Sequence, residues 1–186
     1  MAKRVTRATK KVAEINEQAT VDALKTYQHK PMVNEVAAKG ESSWTEDERK
    51  YFDCLDSAMY VLPDMELTRI TIPENIEDYL VQAGVSRVED LIGRFIVHRP
   101  YMSTSKAPLK DRLERRYSVG LEKPVCIVVH TEGKAIGIDI NEKIGQNDFA
   151  FQQEVILKRA QKFYVEKVVM GNGWGEEYPI IHLYAV

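Results

Sequence analysis

Three short stretches of the 186-residue chain carry side chains whose types and spacing could do chemistry. They are Arg69 within Glu66-Leu67-Thr68-Arg69-Ile70, the hydroxyl run Ser103-Thr104-Ser105, and Gln152-Gln153-Glu154 ahead of Val155-Ile156-Leu157. Each falls in a segment that reads as a strand, where successive side chains alternate between faces. Arg69 then shares a face with Met65 and Leu67, and a guanidinium on a mostly apolar face needs an anion beside it. One of the chain's 28 acidic residues could serve in a structural ion pair, or a bound anion could. Ser103 and Ser105 face one way and Thr104 the other, and hydroxyls can orient a carboxylate by hydrogen bonding. The alternation puts Gln152 and Glu154 on one face, roughly 6.5–7 Å apart along the strand. Phe151, Gln153, Val155 and Leu157 then take the other face. Gln152 and Glu154 suit the mouth of a cleft, and equally the polar face of an edge strand.

The elements that must position these residues follow from periodicity. The first half of the chain reads helical, with candidate helices at 19–28 and 31–39 and Gly40 as a stop. Thr45 followed by Glu48 is a capping-box pattern. The helix it opens carries Tyr51, Leu55, Met59 and Leu62 on one stripe and is expected to run to Pro63. A strand at Met65–Ile72 and short helices at 74–83 and 87–92 come next. Strands are expected at Arg94–His98, Tyr101–Ser105, Val125–His130, Gln152–Leu157, Lys162–Val169 and Tyr178–Val186. Helices first and strands later is an α+β pattern, and no glycine-rich phosphate loop follows any strand.

Composition narrows the class. With 44% apolar residues and no internal repeat, the chain suits one globular domain. The expected boundaries are a basic N-terminal arm over 1–18 and a single domain over 19–186. Lys3, Arg4, Arg7, Lys10 and Lys11 make the start basic, either as a solvated arm or as a nucleic-acid contact. A net charge of −2 argues against a broad nucleic-acid-binding surface. No segment approaches the length of a membrane span, and the start lacks an apolar secretory core. Cys54 and Cys126 fit small core positions, not a metal site. His98 and His130 lie in strand patterns and read as structural. A cytoplasmic monomer without a metal is expected.

The order of the three stretches resembles the ADP-ribosyltransferases of the arginine, Ser-Thr-Ser and Gln-x-Glu class. The resemblance spans roughly residues 20–186 and includes Trp44–Arg69, Gly93–Ser105 and Gln152–Val165. Gln152, two before Glu154, is similar to the Rho-modifying exoenzymes, and Phe149, five before Glu154, is similar to the aromatic of their substrate-recognition turn. Ile70 stands where many relatives have glycine. The absence of a signal peptide is more like the small intracellular enzymes of bacteriophages or bacterial toxin systems.

The resemblance implies an α+β fold in which N-terminal helices precede a two-sheet mixed β core. It implies NAD+ as co-substrate and no metal. Glu154 would stabilise positive charge on the ribose and Ser103 would hold Glu154. Thr104 and Ser105 would support the strand and the nicotinamide end, and Arg69 would neutralise the diphosphate. Gln152 would bond the acceptor nucleophile and Phe149 would pack on the acceptor. Within 106–123, Arg112, Arg115, Arg116 and Tyr117 are candidates to cover the co-substrate, and a solvated charged loop or helix is the competing reading. The acceptor implied is a macromolecule, a protein ahead of a nucleic acid or nucleobase, and not an arginine side chain. A catalytically silent partner-binding module on the same fold is the alternative from another class.

Overall fold

The computed structural model describes residues 7–29, 32–117, 123–145, 150–173 and 175–186. The chain divides into two compact units, Met1–Met59 and Tyr60–Val186.

The first unit is helical: α1 (Arg7–His29), α2 (Met32–Ala38) and α3 (Glu46–Ala58). The helix expected over 19–28 thus begins twelve positions earlier, at Arg7, inside the stretch read as an arm. α3 opens with the capping box read from sequence: Thr45 Oγ1 accepts from the Glu48 N–H, and Glu48 accepts from the Thr45 N–H. Leu24, Phe52 and Leu55 are fully buried in this unit, and Trp44 stacks obliquely on Phe52 at 4.3 Å between ring centres. α3 stops at Ala58, short of Pro63, because Met59 turns extended (φ −80°, ψ 150°). The apolar stripe misleads here: Leu62 is buried in the core of the second unit, and its N–H donates to the Ala135 carbonyl.

The second unit is built on nine strands among the described residues: β1 (Tyr60–Val61), β2 (Glu66–Thr71), β3 (Phe95–His98), β4 (Met102–Ser105), β5 (Val125–His130), β6 (Ile136–Asp139), β7 (Glu154–Leu157), β8 (Gln161–Gly173) and β9 (Glu176–Ala185). Three helices accompany them: α4 (Glu77–Ala83), α5 (Leu109–Tyr117) and α6 (Ile140–Ile144). The class is α+β, as expected. The strands run in the order β1-β6-β7-β4-β2-β5-β9-β8-β3, mostly antiparallel, with β5 and β9 parallel. The two sheets expected are hydrogen-bonded into one path, but only at a single aligned pair, Thr68 of β2 with Ser105 of β4. The core collects apolar side chains from both sides of that junction: Leu67, Ile127, Phe163, Val165, Ile181 and Leu183 from one, and Met102, Val155 and Leu157 from the other.

Three local features set what the fold tolerates. First, α5 docks by Leu109, Leu113 and Tyr117, spaced four apart, onto Ile70, Cys126 and Tyr178. Burial there pushes the Cys126 thiol up to about 12, which suits an inert core residue. Second, Gly137 lies where β6 meets β7, and a Cβ there would sit 2.6 Å from the Ile156 carbonyl and 3.0 Å from Leu62. Third, His98 is buried on β3 with Nδ1 2.6 Å from the Tyr79 hydroxyl. Burial, followed by the nearby Arg69 guanidinium, lowers its pKa from 6.5 to about 3.

Two outcomes follow. Gly137→Ala should destabilise the protein by about 1–3 kcal/mol, the cost of overpacking against backbone that cannot move aside. A urea-unfolding midpoint equal to wild type would show that β6 yields instead. The His98 ring should stay neutral in the folded protein, its NMR shifts flat from about pH 8 to about pH 4. Because its folded pKa lies below the unfolded one, its contribution to stability is full above pH 6.5 and is lost as pH falls from there toward about 3. An inflection near the ordinary histidine value would show that the ring is open to solvent.

Candidate active site

β4 and β7 bring the hydroxyl run against the carboxylate. Ser105 lies opposite Glu154, Thr104 opposite Val155 and Ser103 opposite Ile156. Ser103 Oγ donates to Glu154 Oε1. Glu154 is only 6% exposed, so this hydrogen bond fixes the carboxylate in a largely dry setting. Thr104 Oγ1 donates to the Val155 carbonyl at 2.7 Å and ties the two strands together. Ser105 Oγ donates to the Gln152 carbonyl at 2.6 Å and accepts from the Ala107 N–H at 3.0 Å. One serine therefore orients the carboxylate, while the other pins the backbone on both sides of the site.

The approach to Glu154 differs from the alternating strand read from sequence. Ala150–Gln152 form a 3₁₀ turn, and Gln153 adopts a left-handed conformation with φ 48°. Period-two alternation therefore begins only at Glu154. Gln152 still reaches the cavity that Glu154 lines, but through the turn, and Phe151 joins them there when it was expected on the opposite face. Phe151 is 60% exposed, a large apolar ring at the cavity mouth. The Lys106 N–H donates to the Gln153 carbonyl at 3.1 Å and closes the turn. Phe149 lies outside the described residues.

Arginines line the other walls. Arg69 Nη1 donates to the Ser103 carbonyl at 2.9 Å. Arg112 Nη1 donates to the Thr68 carbonyl, and Thr68 Oγ1 in turn donates to the Ala107 carbonyl at 2.8 Å. Arg112, Arg115 and Arg116 are spaced on α5 so that all three reach the same cavity of about 300 Å³ as Ser103 and Glu154. A second cavity of about 230 Å³ adds Arg69 and Asn75, and shares Ile70, Ser103, Arg112 and Arg116 with the first. Among the described residues, no carboxylate forms an ion pair with Arg69, Arg112 or Arg116. The structural ion pair considered for Arg69 is therefore not found among them. Burial, then repulsion from Arg69 and Arg116, lowers the Arg112 pKa to about 10. The arrangement is a set of fixed hydrogen-bond donors with excess positive charge, which suits oxygen anions.

Sequence reasoning overlooked one ion pair. Lys106 follows directly on Ser-Thr-Ser, and its Nζ pairs with the buried Asp139. Asp139 Oδ1 also accepts from the N–H groups of Asn141 and Glu142 at the start of α6. The spacing of 33 residues between Lys106 and Asp139 gave no local pattern to find. His98 and His130 line neither cavity, and His130 stacks instead on Tyr184 at 4.2 Å. Among the described residues, no cluster of His, Cys, Asp and Glu could hold a metal ion, and no helix is long and apolar enough to cross a membrane.

No protein-family model matches the chain, and no curated protein matches it by sequence. Solved structures do. Plx2a, an ADP-ribosyltransferase toxin from Paenibacillus larvae, superposes with a TM-score of 0.65 over 93% of this chain and 86% of its own, at 14% identity. C3stau2 from S. aureus, solved with NAD, gives 0.63 over 91% and 88%, at 15% identity. The Clostridium limosum C3 exoenzyme gives 0.61 over 89% and 84%, at 14% identity. The fold of this chain is thus the one found in bacterial mono-ADP-ribosyltransferase exoenzymes, which it resembles in structure.

Proposed function

We propose that this protein is a mono-ADP-ribosyltransferase that splits NAD+ and transfers ADP-ribose to a protein acceptor, at a group other than arginine. The observation that carries the reading is the Ser103–Glu154 hydrogen bond on the wall of a cavity that Arg112, Arg115 and Arg116 also line. The likeness to toxins of known fold supports it at the level of architecture.

NAD+ brings a ribose–nicotinamide bond whose cleavage releases neutral nicotinamide and leaves positive charge on the ribose. A fixed carboxylate beside that sugar lowers the barrier, because no reorganisation is needed as the charge appears. Glu154 supplies it, and Ser103 holds Oε1 so that the second oxygen can meet the ribose hydroxyl. Arg69 and Arg112 each use one N–H on a backbone carbonyl and keep the rest of the guanidinium for the diphosphate. Thr104 and Ser105 keep β4 and β7 in register beneath the nicotinamide end. Gln152 and Phe151 face the side from which an acceptor would approach. The Gln152 amide can hydrogen-bond a neutral nucleophile, whereas a carboxylate there would suit a cationic arginine acceptor.

The first test is Glu154→Gln, which keeps the shape and removes the charge. It should bind NAD+ within a few-fold of wild type and release nicotinamide about 10²–10³-fold more slowly. Activity close to wild type would remove Glu154 from the mechanism. For the acceptor, the full chain is incubated with labelled NAD+ and a bacterial lysate, and the product is treated with protease or nuclease. Label released by protease fits a protein acceptor, and label released by nuclease assigns a nucleic acid. If wild type neither labels nor releases nicotinamide, the chain is a silent module on this fold.

A further inference from the structure

The site holds more positive charge than a diphosphate needs. Leu109, Leu113 and Tyr117 clamp α5 onto the sheet, so the helix cannot turn its arginines away from the cavity. Arg69 and Arg112 together match the two negative charges of a diphosphate, each already oriented by a carbonyl. Arg116 lies one helical turn beyond Arg112 and lines both cavities. Its Nε is buried without a hydrogen-bond partner among the described residues. A buried cationic N–H is costly unless a ligand satisfies it. Arg115, three residues beyond Arg112 on the same helix, lines the cavity that holds Phe151 and Gln152 but not the one that holds Arg69. Arg115 therefore lies on the side of the site that Phe151 and Gln152 occupy, and Arg116 reaches both sides. Repulsion among these guanidinium groups, felt by Arg112, is relieved when an anion enters.

We infer that Arg116, assisted by Arg115, forms a phosphate-monoester subsite separate from the place of the co-substrate diphosphate. The inference rests on the proposed NAD+-splitting activity for what occupies Arg69 and Arg112. A doubly charged monoester offers three terminal oxygens, any two of which a guanidinium fork can grip. Two sources carry that chemistry: a 2′-phosphate on the co-substrate itself, as in NADP+, or a phosphate on the acceptor.

The test titrates inorganic phosphate into the full chain by calorimetry, alone and with saturating ADP-ribose, whose diphosphate fills the Arg69–Arg112 place. Phosphate should bind in both cases, with affinities within about threefold of each other. Arg116→Ala should weaken phosphate binding by about 10- to 100-fold, while ADP-ribose still binds. Arg116→Lys, which keeps charge and bulk but loses the fork, should fall between and guards against a folding defect in the alanine variant. Displacement of phosphate by ADP-ribose would overturn the inference, since one anion place would then serve both. So would unchanged phosphate binding in Arg116→Ala. Nicotinamide release from NADP+ and NAD+ separates the two sources. A preference for NADP+ that Arg116→Ala abolishes assigns the subsite to the co-substrate, and a preference for NAD+ assigns it to the acceptor. Release from neither would defeat the enzymatic reading, while the phosphate titration would still decide whether the subsite exists.

Discussion

The second unit depends on a seam in its sheet. β2 and β4 meet at one aligned pair, Thr68 with Ser105, and share no ladder beyond it. A strand edge left without a partner must satisfy its carbonyls in some other way. Arg69 does this for Ser103 and Arg112 for Thr68, and the Thr68 hydroxyl does it for Ala107. The guanidinium groups are thus present for a structural reason first. Each uses one N–H on the seam and presents the others to the cavity the seam opens. The divergence of two strands creates the cleft and fixes cations in it at the same time.

This coupling explains the order in which the sequence was readable. Arg69, Ser103 and Glu154 stand in segments with strong strand patterns, and β2, β4, β5 and β7 all fall within the segments expected. The α+β class was readable for the same reason, as helical spacing gives way to alternation along the chain. Thr45 and Glu48 were legible because a capping box is local and chemical. The end of α3 was not, since Met59 and Leu62 continue the apolar stripe while Leu62 serves another core. β1 and β6 have two and four residues, too few for periodicity to register. α5 was hidden by its charges: six of its nine residues are Lys, Arg, Asp or Glu, and only Leu109, Leu113 and Tyr117 mark the docking face.

The main misreading at the site has a physical cause. Placing Gln152 and Glu154 on one strand face assumes unbroken alternation, which a single left-handed residue ends. Gln153 is that residue, and it needs support because a side chain in this conformation is strained. Support comes from both sides of it: Ser105 Oγ holds the carbonyl before it and the Lys106 N–H holds its own. Neither contact has a local sequence signature, as each joins positions 47 residues apart. Phe151 was assigned to the opposite face by the same assumption, and the 3₁₀ turn carries it to the cavity mouth.

Gln152 and Glu154 therefore differ in kind, although they lie only two positions apart. Glu154 is buried, belongs to the ladder and is held through its side chain by Ser103. Gln152 is exposed, precedes the ladder and is held through its backbone by Ser105, which leaves its amide free to follow what arrives. Buried and tethered groups are suited to preorganised electrostatics, and exposed ones on a supported turn are suited to selecting a partner. A substitution at Gln152 can change the amide without disturbing the backbone bond that orders the turn. The same change at Glu154 removes a buried charge from beside Ser103 and Arg112. On the proposed reading, the choice of acceptor could vary while the groups assigned to NAD+ cleavage stay in place, because the Ser-Thr-Ser strand holds Gln152 and Glu154 through different atoms.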